Sequence, residues 1–194
     1  SSVLYATALA RPHRRIARVT SRTPDGTVLA ENIPVLDGSV SAKIASRVTR
    51  TASFDLAYEW FPVAATDPLS PAHAIVTIEA GISYPNGDEE LFPVFTGRVY
   101  AADLDATGRV SFRADDLAAD VLAADFEQPE NSQPGASIVA ECRRLILAGY
   151  EWAVFGTDDV DDANVPSLAW DDDRGKALDD LSAVVPAALD RVRL

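Results

Sequence analysis

Phe95-Thr96-Gly97-Arg98-Val99 ends a run of four short β-type segments, and an acidic, Ala-rich half that reads as helix follows directly; a strand-rich first part and a helical second part decide the fold class. The strand extends back through Glu90-Leu91-Phe92-Pro93-Val94. Pro85-Asn86-Gly87-Asp88 before it is a hairpin turn, because Asn-Gly adopts positive φ at little cost. Ala74-Ile75-Val76-Thr77-Ile78-Glu79-Ala80-Gly81-Ile82 is then its partner. After it, Thr107-Gly108 turns the chain into Arg109-Val110-Ser111-Phe112-Arg113-Ala114, with Val110 and Phe112 on one face and the arginines on the other.

Upstream the pattern repeats. Arg14-Arg15-Ile16-Ala17-Arg18-Val19-Thr20 alternates, and Pro24-Asp25-Gly26-Thr27 is a turn. Residues 28–35 form a strand that Pro34 assigns to an edge or a bulge. Asp37-Gly38 carries a turn signal. Residues 39–44 and 48–57 alternate again. Trp60-Phe61-Pro62 and Asp67-Pro68-Leu69-Ser70-Pro71 hold too many prolines for helix or central strand, so a long loop anchored by Trp60 and Phe61 is expected. Short strands split by turn signals describe a mostly antiparallel barrel or sandwich.

The period changes at Asp115. Asp116-Leu117-Ala118-Ala119-Asp120-Val121-Leu122 is helical. Pro129-Glu130-Asn131-Ser132-Gln133-Pro134-Gly135 is a loop. Residues 137–148 form a helix with Ile138, Cys142, Leu145 and Ile146 on one face and Gly149 as its stop. Residues 156–166 are an acidic loop. Asp171 or Asp172 caps a further helix bearing Ala177, Leu178, Leu181 and Val184, which Pro186 ends. Residues 189–194 have the makings of a strand. The expected class is α+β: a β-barrel or sandwich domain over 1–115, then a smaller helix-containing α/β region over 116–194.

The 194 residues are 47% hydrophobic and 24% charged, the proportions of a globular protein. No stretch reaches the roughly 20 apolar residues that span a bilayer, so no membrane insertion is expected. Arg11 follows the apolar residues 1–10 instead of preceding them, so no export signal is expected either. Cys142 is the one cysteine, which excludes an internal disulfide; in its helical pattern it reads as a small buried hydrophobe. Neither His13 nor His73 is tied to it by a motif.

Net charge is −13, unevenly spread: residues 1–50 carry eight Lys or Arg against three Asp or Glu, and the remainder nine against 27. So acidic a body argues against nucleic-acid binding, which needs a basic footprint. The basic stretch Arg11-Pro12-His13-Arg14-Arg15, with Arg18, is the candidate interface, suited to an acidic neighbour.

No catalytic or cofactor motif is present. Asp158-Asp159-Val160-Asp161-Asp162 and Asp171-Asp172-Asp173 form the best metal candidate, but a calcium loop starting at Asp158 needs Gly sixth and Glu twelfth, where Ala163 and Ala169 stand. There is no Gly-x-Ser-x-Gly elbow, no phosphate-binding glycine loop and no Cys/His zinc spacing. No cofactor and no metal are expected, and a small hydrolase is the least favoured reading. Trp60, Trp152 and Trp170 with Tyr58 and Tyr84 would suit a sugar-stacking platform if exposed together, the alternative reading as a carbohydrate-binding module; aromatics are more often core.

The series from Ile33-Pro34-Val35-Leu36-Asp37-Gly38-Ser39-Val40 through Trp60-Phe61-Pro62, Asp67-Pro68-Leu69, Gly81-Ile82-Ser83-Tyr84 and Phe92-Pro93-Val94-Phe95-Thr96-Gly97-Arg98-Val99 to Asp115-Asp116-Leu117-Ala118 and Pro134-Gly135-Ala136-Ser137-Ile138 resembles a known order. It is similar to the N-terminal region of minor tail proteins from phages of actinobacteria, related to the baseplate-hub and tail-tip proteins of tailed phages and to the hub of contractile injection devices. The resemblance covers nearly the whole chain, and Arg174-Gly175-Lys176-Ala177-Leu178 resembles the helix opening the next hub domain. It implies β-barrel hub domains ringed around a tail axis and a non-enzymatic virion protein, made in the bacterial host cytoplasm, that closes or adapts the distal end of the tail tube. The implied partners are further copies of itself, as a trimer with a hexameric distal-tail ring as the rival, and the neighbouring tail-tube, distal-tail and tape-measure proteins. Viral DNA would be passing cargo, in a lumen lined by acidic faces.

Overall fold

A computed structural model describes residues 14–43, 50–133, 135–153, 164–165, 167–170, 176–178 and 181. The chain divides into two compact units, Ser1–Asp116 and Leu117–Leu194.

The first unit is one antiparallel sheet. Its strands are β1 (Arg14–Arg22), β2 (Val28–Pro34), β3 (Asp37–Ala42), β4 (Arg50–Ala57), β5 (Ile75–Ser83), β6 (Glu89–Leu104) and β7 (Arg109–Asp116), ordered β2-β1-β5-β6-β7-β4-β3. Within β6, Phe95, Gly97 and Val99 are buried and Thr96 is exposed. β6 pairs with β5 over its first part and with β7 over its second, and so carries the sheet around its bend. Pro93, which has no N–H to give a ladder, sits at the bulge where the β5 register shifts. Gly87, at φ 89°, makes the hairpin turn that Asn-Gly announces.

The expected mostly antiparallel β architecture forms, but not as a closed barrel. The sheet curls around a core of Phe54, Phe95, Phe112, Leu56, Val19 and Val110, all at most 1% exposed, but its ladders leave β2 and β3 as edges. Those edges are consecutive pieces of one segment, joined by Val35 and Leu36. At that crossing the Val35 N–H donates to the Ala17 carbonyl at 3.2 Å, and the Leu36 N–H to the Asp55 carbonyl at 2.9 Å. The segment thus bridges β1 and β4 at one point; on either side of it β2 follows β1 and β3 follows β4. Asp37-Gly38, read as a turn, lies inside β3 instead. Glycine is needed there for space: a Cβ on Gly38 would stand 2.9 Å from the Ser53 carbonyl oxygen.

The proline-rich connection after β4 opens with a 3-10 turn at Tyr58–Trp60, and Trp60 and Phe61 pack on the core. Asp67 Oδ2 accepts the Val63 and Ala64 N–H groups at 2.7 and 2.8 Å.

The second unit contains α1 (Ala118–Ala123), β8 (Glu130–Asn131), α2 (Ile138–Gly149) and β9 (Ala169–Trp170). Ser137 caps α2, its Oγ accepting the Ala140 N–H at 3.1 Å. The stripe of Ile138, Cys142 and Leu145 is buried with Phe126 and Trp170, whose rings stack at 6.4 Å. Ala177 and Leu181 are fully buried in the same cluster. β8 and β9 pair as a two-residue ladder that periodicity has too little length to reveal. Arg144 joins Glu141, 1% exposed, to Glu130 through contacts of 2.9 and 2.6 Å, and these hydrogen bonds, Glu141's first, raise the guanidinium's affinity for its proton still further. The strand expected over 189–194 lies outside the described residues.

Candidate interaction surface

Three of the four basic residues singled out from the sequence lie among the described residues. Arg11 lies outside the described residues. Arg14, Arg15 and Arg18 all belong to β1, where alternation divides them. Arg15 faces Ile82 and shares its side with buried Val19 and Ser21, the inner side of the curl. Arg14 and Arg18 are on the outer side. Arg18 is bonded within the sheet: its guanidinium pairs with Glu89 and donates to Asn32 Oδ1 at 3.1 Å. Asn32, at φ 58°, sits in the irregular stretch where β2 pairs with β1, a conformation that asparagine tolerates.

Counted by unit, the charge divides as follows. The sheet unit holds 11 Lys or Arg against 14 Asp or Glu, while the second unit holds six against 16. The acidic surplus therefore belongs mainly to the second unit.

A groove of about 830 Å3 opens on the inner side of the sheet, beside the crossing. Arg15 and Ala17 of β1 form one rim; Asp37 and Val40 of β3 form the other. Its floor is apolar, made by Phe54, Ile78, Ile82 and Phe92. Val40 and Val94 are 39% and 37% exposed and Leu36 is 56% exposed, so the groove presents apolar surface to solvent. Val28 at the start of β2 is also exposed, which gives the edge segment an apolar side chain at each end and at its centre. Sequence reading missed this groove. The signal was the pair Val35-Leu36, which breaks alternation between two strands, but the residues it meets are distant in the chain.

The aromatic platform needed for sugar stacking is not assembled from the residues proposed for it. Trp170 is buried, Trp60 packs on the sheet core, and Tyr84 donates its hydroxyl to Glu90 Oε2 at 2.6 Å. Tyr58 and Trp152 are exposed, in different units. The acidic clusters at 158–162 and 171–173 lie outside the described residues. Among the described residues no group of three His, Cys, Asp or Glu is arranged to hold a metal ion, and no helix is long and apolar enough to cross a membrane.

Two carboxylates titrate in opposite directions. The Ala64 and Val63 N–H groups hold Asp67 below the ordinary 3.8, whereas burial and the neighbouring Asp116 raise Asp115 above it. Asp67 thus adds stability that is present above its unfolded value and is lost as pH falls through its lowered folded value. Asp115 does the reverse: its ionisation opposes the fold, which loses stability as pH rises through the raised folded value. Carboxyl-carbon NMR titration is expected to order the two as Asp67 below 3.8 and Asp115 above it; the opposite order would show that the loop contacts around Asp67 do not persist in solution.

No protein-family model and no curated protein matches the chain. Among solved structures it is similar to the Francisella PdpA-VgrG complex in its half-lidded form, at 10% identity and a TM-score of 0.39 over 68% of this chain and 22% of that one. The lidless form of the PdpA-VgrG complex gives 12% identity and a TM-score of 0.38 over 69% and 24%. This chain therefore spans less than a quarter of the length of either. Likeness at this level defines no family.

Proposed function

We propose that the chain is a structural component of a phage-type tail tip, without enzymatic activity, working by assembly with copies of itself and with neighbouring tail-tube, distal-tail and tape-measure proteins in the virion. The observation that carries the reading is the open sheet, whose two edges are one segment with exposed Val28, Leu36 and Val40. Open edges with apolar side chains are unfavourable for a solitary protein and serve one whose sheet is continued by a neighbour. The ordered series of segments from residue 33 to residue 138, resembling minor tail proteins, supports the same conclusion. In such a ring the strongly acidic second unit would face the lumen, where like charge lowers DNA adhesion.

Native mass spectrometry with negative-stain electron microscopy tests this. A closed ring is expected, with a trimer favoured over a hexamer. Val28→Lys, a charge on the β2 edge, is expected to shift the mass toward the monomer. A monomer at all concentrations up to tens of micromolar would overturn the assembly reading.

A further inference from the structure

The connection between β4 and β5 carries an uncharged tip that is held rigid from within. Phe61-Pro62-Val63-Ala64-Ala65-Thr66 has no ionisable side chain, and residues 63–66 are all exposed. Val63, at 87%, is the most exposed large hydrophobic among the described residues. The backbone beneath it is fixed. The Asp67 carboxylate accepts the Val63 and Ala64 N–H groups, the Asp67 N–H donates to the Ala64 carbonyl at 3.1 Å, and Pro62 and Pro68 restrict φ on either side. A tip ordered before it meets a partner loses little conformational entropy on binding. A single exposed valine needs no explanation, but a pinned, uncharged tip in the same molecule as an open apolar groove makes a matching pair.

Tip and groove lie at opposite ends of the sheet. The Pro68 carbonyl, next to Asp67, accepts the Ser21 hydroxyl, and Ser21 pairs with Val76 near the start of β5. The groove instead takes Ala80, Gly81 and Ile82, near the end of β5. Between Ile75 and Ile82 lies about 23 Å of extended strand. The tip therefore points away from the groove of its own chain and is available to the groove of another copy. There Leu36, Val40 and Val94 hold apolar surface in solvent, while Arg15 and Asp37, of opposite charge, stand at the rims. An apolar centre with a polar rim is the make-up of a protein–protein contact, and an uncharged tip enters it without stripping water from a charge.

Resting on the reading of this chain as an assembling component, we propose that residues 63–65 of one copy seat in the groove beside Val40 of the next. Such a contact is heterologous: it joins different surfaces of identical chains and propagates head to tail until it closes into a ring. Val28, opposite Arg22, is at the same end of the sheet as the tip, so the β2 edge and the tip serve the same neighbour.

Native mass spectrometry of two full-length variants and of their mixture tests this. Val63→Asp spoils the tip and leaves the groove; Val40→Lys spoils the groove and leaves the tip. Each alone is expected to be monomeric at concentrations where the unaltered chain is assembled. Mixed one to one, they are expected to form a dimer, because one intact tip meets one intact groove. Should a charged variant fail to fold, Val40→Cys and Val63→Cys take their place, since the native Cys142 is buried. On oxidation their mixture is expected to give a mixed disulfide dimer, and neither variant alone a disulfide dimer. Charged variants that assemble like the unaltered chain, charged variants that stay monomeric when mixed, or cysteine variants that cross-link as well alone as together would overturn this contact while leaving assembly through other surfaces standing. An unaltered chain that is itself monomeric up to tens of micromolar would overturn the assembly reading, and this contact with it.

Discussion

Gly97→Ala is expected to destabilise the sheet unit by about 3 kcal/mol or more, the upper range for forcing atoms into a packed core. The substitution adds a single methyl group. A Cβ at this position would lie 2.0 Å from the Asp115 carbonyl oxygen and 2.5 Å from Phe95 Cζ. Neither neighbour can yield cheaply: Asp115 is in the β6–β7 ladder opposite Arg98, and Phe95 is 1% exposed in the core. Relief would require the two strands to separate where β6 passes from one partner to the other. Denaturant unfolding followed by hydrogen exchange in β5, β6 and β7 measures the loss. Thr96→Ala, one residue away on the exposed side, is the control and should change stability by no more than about 0.5 kcal/mol. Equal stability of the two variants would show that the β6–β7 approach is looser than this geometry.

Arg144→Ala has the largest expected effect in the second unit. It removes the guanidinium from Glu141, whose side chain is 1% exposed, and from Glu130. A buried carboxylate left without its partner destabilises by about 3 kcal/mol, because desolvation is no longer offset. Arg144→Lys should restore only part of this, since an ammonium cannot reproduce the forked contact with Glu141 and the further bond to Glu130. The double variant Glu141→Leu/Arg144→Met removes both charges and should be closer to the original chain than Arg144→Ala alone. Thermal unfolding read from the fluorescence of Trp152 and Trp170 reports on this unit. If Arg144→Ala unfolds no earlier than the double variant, Glu141 has another source of stabilisation.

The contrast between these sites shows what the sequence made legible. The Asn86-Gly87 turn located the hairpin of β5 and β6, and the alternation of Val110 with Phe112 located β7, because a half-buried strand writes its period into the chain. Ser137 announced the start of α2 because its hydroxyl satisfies a backbone N–H locally. Curvature was not legible. It depends on Val35 meeting Ala17 and on Leu36 meeting Asp55, contacts between residues far apart in sequence. Asp37-Gly38 was misread because a glycine demanded by strand crowding and one demanded by a turn are the same letter. Of the candidate interface, Arg18 was legible as a charge but not as one already bonded to Glu89 and Asn32. The groove was hidden for the same reason as the curvature, because its two rims come from opposite ends of the sheet order.

The single segment that serves both edges has a consequence for cooperativity. A sheet with two independent edge strands can fray from either margin, losing one strand while the rest stays intact. Here β2 and β3 are continuous through Val35 and Leu36, which bond to β1 on one side and β4 on the other. Peeling β2 from β1 pulls on the anchor at Asp55, and peeling β3 from β4 pulls on the anchor at Ala17. Both margins are clasped by the same few residues, so partial unrolling is suppressed and the curl opens as a whole or stays shut.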